Sequence, residues 1–248
     1  MPEIPWYQLW FGREYDELYR HRSEAEAAAT IAWLVQTLRI SRPVTALDLG
    51  CGNGRHSLQL TAYGHRVFGL DLSWFLLQQS TAAKENRSFF RIRGDMRALP
   101  FVADTFDLTL SLFTSFGYFE NREMDLQVMR EASRTLKTGG WFVLDFLNRT
   151  AVLETMVPHE EREITNGRVT IRRWVNLKAD RINKQISIEQ TGKNRSEFRE
   201  SVFLYTDDQL IRMLQTAGLE TVRIHGDYNG AEFTSRSPRL ILIGHKRA

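Results

Sequence analysis

Residues 46–72 read ALDLGCGNGRHSLQLTAYGHRVFGLDL: an apolar run, a turn holding three glycines, a short helical stretch and a second apolar run closed by an acid. Residues 44–49 carry one charge, Asp48, as expected of a strand buried on both faces in a parallel sheet. Gly50, Cys51, Gly52, Asn53 and Gly54 form the turn, residues 55–62 a short helix, and residues 67–70 the next strand, which ends in Asp71. Strand, glycine turn, helix and strand in this order point to a nucleoside-bearing ligand. Glycines let backbone approach it with no Cβ in the way. An acid at the end of the second strand accepts hydrogen bonds from both ribose hydroxyls.

The glycine spacing narrows the ligand. Gly50, Gly52 and Gly54 make GxGxG, whereas the dinucleotide fingerprint is GxGxxG. His56 stands close to where tight helix packing would want a small residue, and no Lys–Ser/Thr pair follows, which excludes a P-loop.

A chain of 248 residues, 42% apolar and 25% charged, buries a substantial core and suits one α/β domain with an addition. Its formal charge of +3 gives no licence for a nucleic-acid partner. No apolar run is long enough to span a bilayer, and the N-terminus lacks the layout of a secretory signal, so the reading is cytoplasmic with no membrane contact. The single cysteine, Cys51, excludes an internal disulfide framework.

Along the chain, residues 1–22 are dense in aromatics, and Tyr15 and Tyr19 share a face if the stretch is helical. Residues 1–40 are expected to form a helical arm, laid on the domain or acting as a lid. A helix at 23–38 ends that stretch; residues 41–153 and 205–248 are expected to form the core, with helices from Ser73 to about Lys84 and at 122–136, and a third strand at 88–92. Asp95 sits just beyond that third strand, where ligands bind in such sheets. The fourth strand, 108–112, runs into FTSFGYF at 113–119, either a hydrophobic plug or a cavity wall. Gly139-Gly140 closes the following helix, and 141–146 is the fifth strand. Residues 169–175 and 185–190 alternate with a period of two and 201–205 is a candidate third strand, so 154–204 reads as a small antiparallel sheet inserted over the substrate side. Thr206 and Gln209 form a capping box, Gly218 ends that helix, and 219–224 and 239–243 are the last strands.

The pattern DLGCGNG, with Asp71 placed 21 residues after Gly50, resembles motifs I and II of the class I S-adenosylmethionine-dependent methyltransferases. That resemblance covers about residues 40–150 and 205–246. It implies a Rossmann-like seven-stranded sheet of order 3-2-1-4-5-7-6 with strand 7 antiparallel. With LFTSFGYF, the aromatic arm and the inserted sheet, the chain is similar to small-molecule enzymes of natural-product pathways, including those acting on sugar amines. The resemblance implies that S-adenosylmethionine binds at Gly50, Cys51, Gly52 and Gly54, leaving S-adenosylhomocysteine as product. By it, backbone at Gly50 and Leu112 holds the methionine amine and Asp71 the ribose. Leu72 and Met96 flank the adenine, Asp95 bonds its amino group, and Phe113 lies near the methyl. The YDELY stretch gives Tyr15 to the cofactor side and Tyr19 to the acceptor. Tyr118 stands where relatives carry a histidine. Arg239 matches an arginine of their substrate site.

Methyl transfer from a sulfonium needs an aligned nucleophile and exclusion of water, with no metal and no covalent residue. The histidines show no ligand spacing and no GxSxG elbow is present. Tyr19 and Tyr118 are the candidate catalytic residues, for positioning first, since an unperturbed phenol titrates near pH 10. Phe116, His225 and Tyr228 are assigned with Arg239 to the substrate side. Nitrogen, oxygen and carbon acceptors all stay open at this stage. So do an RNA or protein substrate, a silent cofactor-binding module and a homodimer.

Overall fold

The computed structural model describes residues 4–19, 23–79, 88–164, 166–192 and 194–247. Three helices lead: α1 (Trp6–Trp10), α2 (Arg13–Leu18) and α3 (Glu24–Thr37), the last started by Ser23, whose hydroxyl accepts the Glu26 amide. The glycine turn joins β1 (Thr45–Leu49) to α4 (Arg55–Ala62), and β2 (Arg66–Asp71) returns parallel to β1. Ser73 caps α5 (Trp74–Gln78) as expected, but the continuation to Lys84 lies outside the described residues. β3 (Phe90–Arg93), β4 (Phe106–Ser111), α6 (Arg122–Thr135) and β5 (Leu136–Leu147) follow. Gly139 and Gly140 therefore lie inside β5 and do not end the helix, which stops at Thr135.

After α7 (Arg149–Thr155), β6 (His159–Ile164), β7 (Gly167–Asn176), β8 (Arg181–Gln190) and β9 (Ser196–Phe203) make a separate antiparallel meander. It has four strands where the alternation predicted three. β6 reads HEEREI, so it shows no apolar alternation; its charges suit an edge strand. The last elements are α8 (Asp207–Thr216), with the Thr206–Gln209 capping box formed, β10 (Leu219–His225) and β11 (Arg239–Lys246).

The large sheet has the order β3-β2-β1-β4-β5-β11-β10, with β11 antiparallel to both neighbours. This is the seven-stranded order that the resemblance implied. Alternation along β1 sends Leu47 and Leu49 to one face, against α6 and α8 residues such as Met129 and Leu214. Ala46 goes to the other, against Ile31 and Leu34 of α3 and Leu58 of α4. Helix α3, within the stretch expected as arm, thus packs into the core. The arm packs on the inserted sheet, and its Trp6 and Tyr7 also pack against the main core, on Tyr118 and Phe119. Trp10, fully buried, and Leu18 pack on Val169, Ile171, Ile186 and Ile188 of the inserted sheet. A hydrogen bond from the Ser73 hydroxyl to the Phe11 carbonyl, at 2.5 Å, ties the arm to the turn after β2. Among the described residues no helix is long and apolar enough to cross a membrane.

Candidate active site

A cavity of about 390 Å³ opens at the C-terminal ends of β1, β2 and β4, within the size range of small-molecule sites. Its floor is the glycine turn. Gly50 has φ +66°, and a Cβ there would stand 2.7 Å from the Cβ of Ser115. Gly50, Cys51, Gly52, Asp71, Leu72, Asp95, Met96, Leu112 and Phe113, all expected at the cofactor, line the cavity, as do Tyr15, Tyr19 and Tyr118. Gly54 does not. It has φ +79°, and a Cβ would fall 2.1 Å from the ring of Phe89, so this glycine serves packing behind the turn.

The acids of the floor differ in state. Asp71 accepts the Gly52 amide at 2.8 Å and the Ser73 amide at 2.7 Å. Burial pushes its carboxyl above the usual range, and those two N–H donors oppose the shift. Asp48 also lines the cavity. Burial pushes it up to about 6, against the Ser57 hydroxyl, which donates at 2.6 Å. Burial and the neighbouring acids raise the Cys51 thiol as well, which leaves it protonated and unsuited to attack. At Asp95 burial would raise the carboxyl, but the Arg97 guanidinium meets both oxygens and holds it below the usual range. Adenine would share that carboxylate with Arg97.

Two contributors escaped the sequence reading. The Ser115 hydroxyl bridges the Gly50 carbonyl, at 3.2 Å, and the Leu112 carbonyl, at 2.9 Å, the two groups expected to meet the methionine amine. Arg55 is the one lysine or arginine among the described lining residues. Its guanidinium bonds Glu26 at 2.8 Å and lies 4.1 Å from the Phe113 ring centroid. Its signal was its position as the first residue after the turn.

Chain leaving β4 makes two successive left-handed residues, Phe113 (φ 53°) and Thr114 (φ 63°), a costly conformation for side chains with a Cβ. The buried Asp145 holds them, accepting the Phe113 amide at 2.8 Å on its carboxylate and the Thr114 amide at 3.2 Å on its carbonyl. Arg239 completes the clasp, donating to Asp145 at 2.7 Å and to the Thr114 hydroxyl at 2.8 Å. Arg239 is thereby committed to the loop and absent from the cavity wall. The other residues assigned with it are absent too. Tyr228 stacks behind Phe113, with ring centroids 6.1 Å apart, and His225 meets Trp33 and the Gly230 carbonyl. The double turn sends Phe116 into the core against Phe146 and Tyr205, and Phe119 takes the wall.

Comparison with known proteins agrees with this geometry. A family model described as a methyltransferase domain matches residues 46–140. The cypemycin N-terminal methyltransferase of a Streptomyces species is 30% identical over 224 residues, 87% of this chain and 88% of that one. A dTDP-4-amino-2,3,4,6-tetradeoxy-D-glucose N,N-dimethyltransferase of Saccharopolyspora spinosa is 26% identical, again over 87% and 88%. The solved amino pentose methyltransferase of Micromonospora echinaspora, bound to S-adenosylmethionine, superimposes with a TM-score of 0.67 at 20% identity, covering 94% of this chain and 97% of that one. The chain belongs to the class I S-adenosylmethionine-dependent methyltransferases. It is an enzyme, and S-adenosylmethionine is its methyl donor. The residues present fit that group: a glycine floor that a Cβ would close, a buried strand-end carboxylate, and an arginine beside the turn. Among the described residues no three His, Cys, Asp or Glu side chains are gathered to hold a metal ion.

Proposed function

We propose that this enzyme methylates an amine nitrogen of a small organic acceptor, which enters between the arm and the 113–119 loop. The observation that carries the reading is the far end of the cavity. It is lined by Tyr7, Phe11, Tyr15, Tyr19, Tyr118 and Phe119, and the acids Asp16 and Glu24 are also among the lining residues. Faces of aromatic rings attract a cation, and nearby carboxylates add to that attraction. An amine that arrives as ammonium is favoured there over a neutral hydroxyl. Two relatives are named for methylation at nitrogen, one at the N-terminus of cypemycin and one on an amino sugar.

In this reading Asp71 takes the ribose hydroxyls, and Leu72 and Met96 flank the base. Arg55 meets the methionyl carboxylate, and Phe113 stands at the reacting end. Bound S-adenosylmethionine supplies a methyl already activated as a sulfonium. The chain's own part is to hold the acceptor nitrogen in line, exclude water behind the aromatic wall, and accept an N–H hydrogen bond at Tyr19 or Tyr118. A direct test offers radiolabelled S-adenosylmethionine with a short peptide bearing a free N-terminus, the same peptide acetylated, a 4-amino sugar nucleotide and its 4-hydroxy analogue. Label should enter free-amine probes only. Label on the hydroxy sugar alone would overturn the nitrogen assignment, and failure to bind S-adenosylhomocysteine would overturn the cofactor assignment.

A further inference from the structure

The face of the inserted sheet that carries the arm is built by alternation. On β8 the inward positions are Ile182, Lys184, Ile186 and Ile188, and on β9 they are Phe198, Glu200 and Val202. Lys184 and Glu200 are a directly opposed cross-strand pair, standing where the pattern calls for two more apolar residues. Their carboxylate and ammonium are 2.8 Å apart, and both side chains are largely buried. A buried pair of this kind is often no more stable than an apolar pair of similar volume. Its place in an otherwise apolar face asks for another reason.

The reason lies in what the pair touches. The Lys184 ammonium donates to the phenol oxygen of Tyr19 at 2.5 Å and sits 5.2 Å from the centre of that ring. Glu200 accepts from the Lys184 ammonium, from the Trp10 indole N–H at 2.7 Å, and from the Tyr19 hydroxyl at 3.5 Å. Tyr19 in turn lines the cavity. Lysine offers donors only, an ionised carboxylate acceptors only, and a phenol one donor with two lone pairs. Lys184 occupies one lone pair of the Tyr19 oxygen, and Glu200, 3.5 Å away, is an acceptor toward which its proton can turn; so turned, the Tyr19 oxygen bonds a further group only as an acceptor.

We infer that Lys184 and Glu200 are positioning residues that fix Tyr19 as a hydrogen-bond acceptor toward the reacting end of the cavity, so that the enzyme selects an acceptor atom carrying its own hydrogen. This deepens the amine reading and rests on it. An N–H of the acceptor donates to Tyr19, which turns the nitrogen lone pair away from the tyrosine. Among the described residues, Tyr19 of the arm meets the pair, and Arg173 on β7 stands opposite Lys184 and is itself bonded to Glu160 of β6. Burial alone would pull the Lys184 ammonium down, but Glu200 and Tyr19 more than offset it and hold it above the usual lysine range. The ammonium therefore persists across the working pH range.

The test needs no natural acceptor. Sinefungin carries an amine where S-adenosylmethionine carries its methyl, and S-adenosylhomocysteine carries nothing there. Calorimetric affinities for both are measured in the parent, Lys184→Met, Lys184→Arg, Glu200→Gln and Tyr19→Phe. The Tyr19 phenol is titrated by 13Cζ-tyrosine NMR, assigned with Tyr19→Phe. Lys184→Met should raise the Tyr19 midpoint by about one pH unit or more. It should lower the preference for sinefungin over S-adenosylhomocysteine roughly fivefold, as Tyr19→Phe does, while affinity for S-adenosylhomocysteine holds. Lys184→Arg should restore both. If Lys184→Met does not fold, Glu200→Gln carries the test, with the same loss of preference and a lowered midpoint. A sinefungin preference unchanged in the folded variants overturns the inference, whether or not the midpoint moves. A parent that binds neither ligand overturns the methyltransferase site itself, a separate outcome.

Discussion

At the scale of the residue, the three glycines of the turn have different jobs, and substitution should separate them. In Gly50→Ala the new Cβ meets Ser115 in a left-handed backbone, so the floor of the cavity must shift. Affinity for S-adenosylhomocysteine should fall about tenfold or more, read by calorimetry. In Gly54→Ala the clash is with Phe89, behind the turn. The expected effect is a loss of stability of about 1–3 kcal/mol in urea denaturation, with a smaller change in affinity. Equal behaviour of the two variants would contradict the division. Arg239→Ala strands a fully buried carboxylate, Asp145, and releases the Phe113–Thr114 turn. It should destabilise by about 3–5 kcal/mol, and Arg239→Ala with Asp145→Ala should recover part of that loss. Much of the cofactor side was legible in the sequence, because a glycine turn and a strand-end acid have fixed spacings. The substrate side was not. Phe113, Phe116 and Phe119 lie three apart in a loop, where no period says which ring faces the cavity and which the core. Arg239 reads the same in sequence whether it meets a ligand or, as here, a buried aspartate.

At the scale of the element, the arm is held between the inserted sheet and the 113–119 loop. The sequence showed its aromatics but not their partner, since the apolar face of β7 and β8 becomes a groove only when the strands pair. Two consequences follow from the packing. The inserted sheet supports the aromatic end of the cavity indirectly, by holding the arm, whose Tyr7, Phe11, Tyr15 and Tyr19 line it. The anchor is Trp10, fully buried, edge-on to Tyr15 at 5.6 Å and tilted on Phe198 at 4.7 Å. Trp10→Ala removes that anchor and leaves Glu200 without its indole partner. A buried tryptophan truncation costs about 3–5 kcal/mol, more than a short two-helix arm gains elsewhere. The arm should therefore open locally while the central sheet stays folded. Limited proteolysis should cut the variant within residues 4–19, and the main thermal transition should move by only a few degrees. Loss of the whole transition would instead mean that arm and core fold as one unit.

At the scale of the whole molecule, two buried acids bind the pH response of the fold to that of the site. Asp125 on α6 is fully buried and accepts the Tyr205 hydroxyl at 2.7 Å, and burial pushes it up to about 7. Asp48 in the cavity floor is pushed up to about 6, also by burial. Each holds a proton in the folded chain at a pH where the unfolded chain has released it. Folded stability from these two groups is full below about pH 4 and is lost as pH rises through 6 and 7. Acids held low by arginine or lysine, such as Asp95, Glu131 and Asp107, work the other way and lose their contribution as pH falls through 4. The free protein should be most stable near pH 4–5 and weaken by a few kcal/mol toward pH 8. Urea denaturation should show that slope in the parent and a flatter one in Asp125→Asn. Asp48 differs, because it faces a ligand with a net positive charge. S-adenosylmethionine favours its ionised form, so affinity should strengthen from pH 5 to pH 7.5, and Asp48→Asn should remove that dependence. The cofactor then returns at neutral pH part of the stability that ionising Asp48 removes. A thermal shift on adding S-adenosylmethionine that is larger at pH 7.5 than at pH 5 in the parent, and equal at both in Asp48→Asn, is the expected result. An equal shift at both pH values in the parent would mean that Asp48 is already ionised in the free enzyme at pH 5, and the coupling would fall.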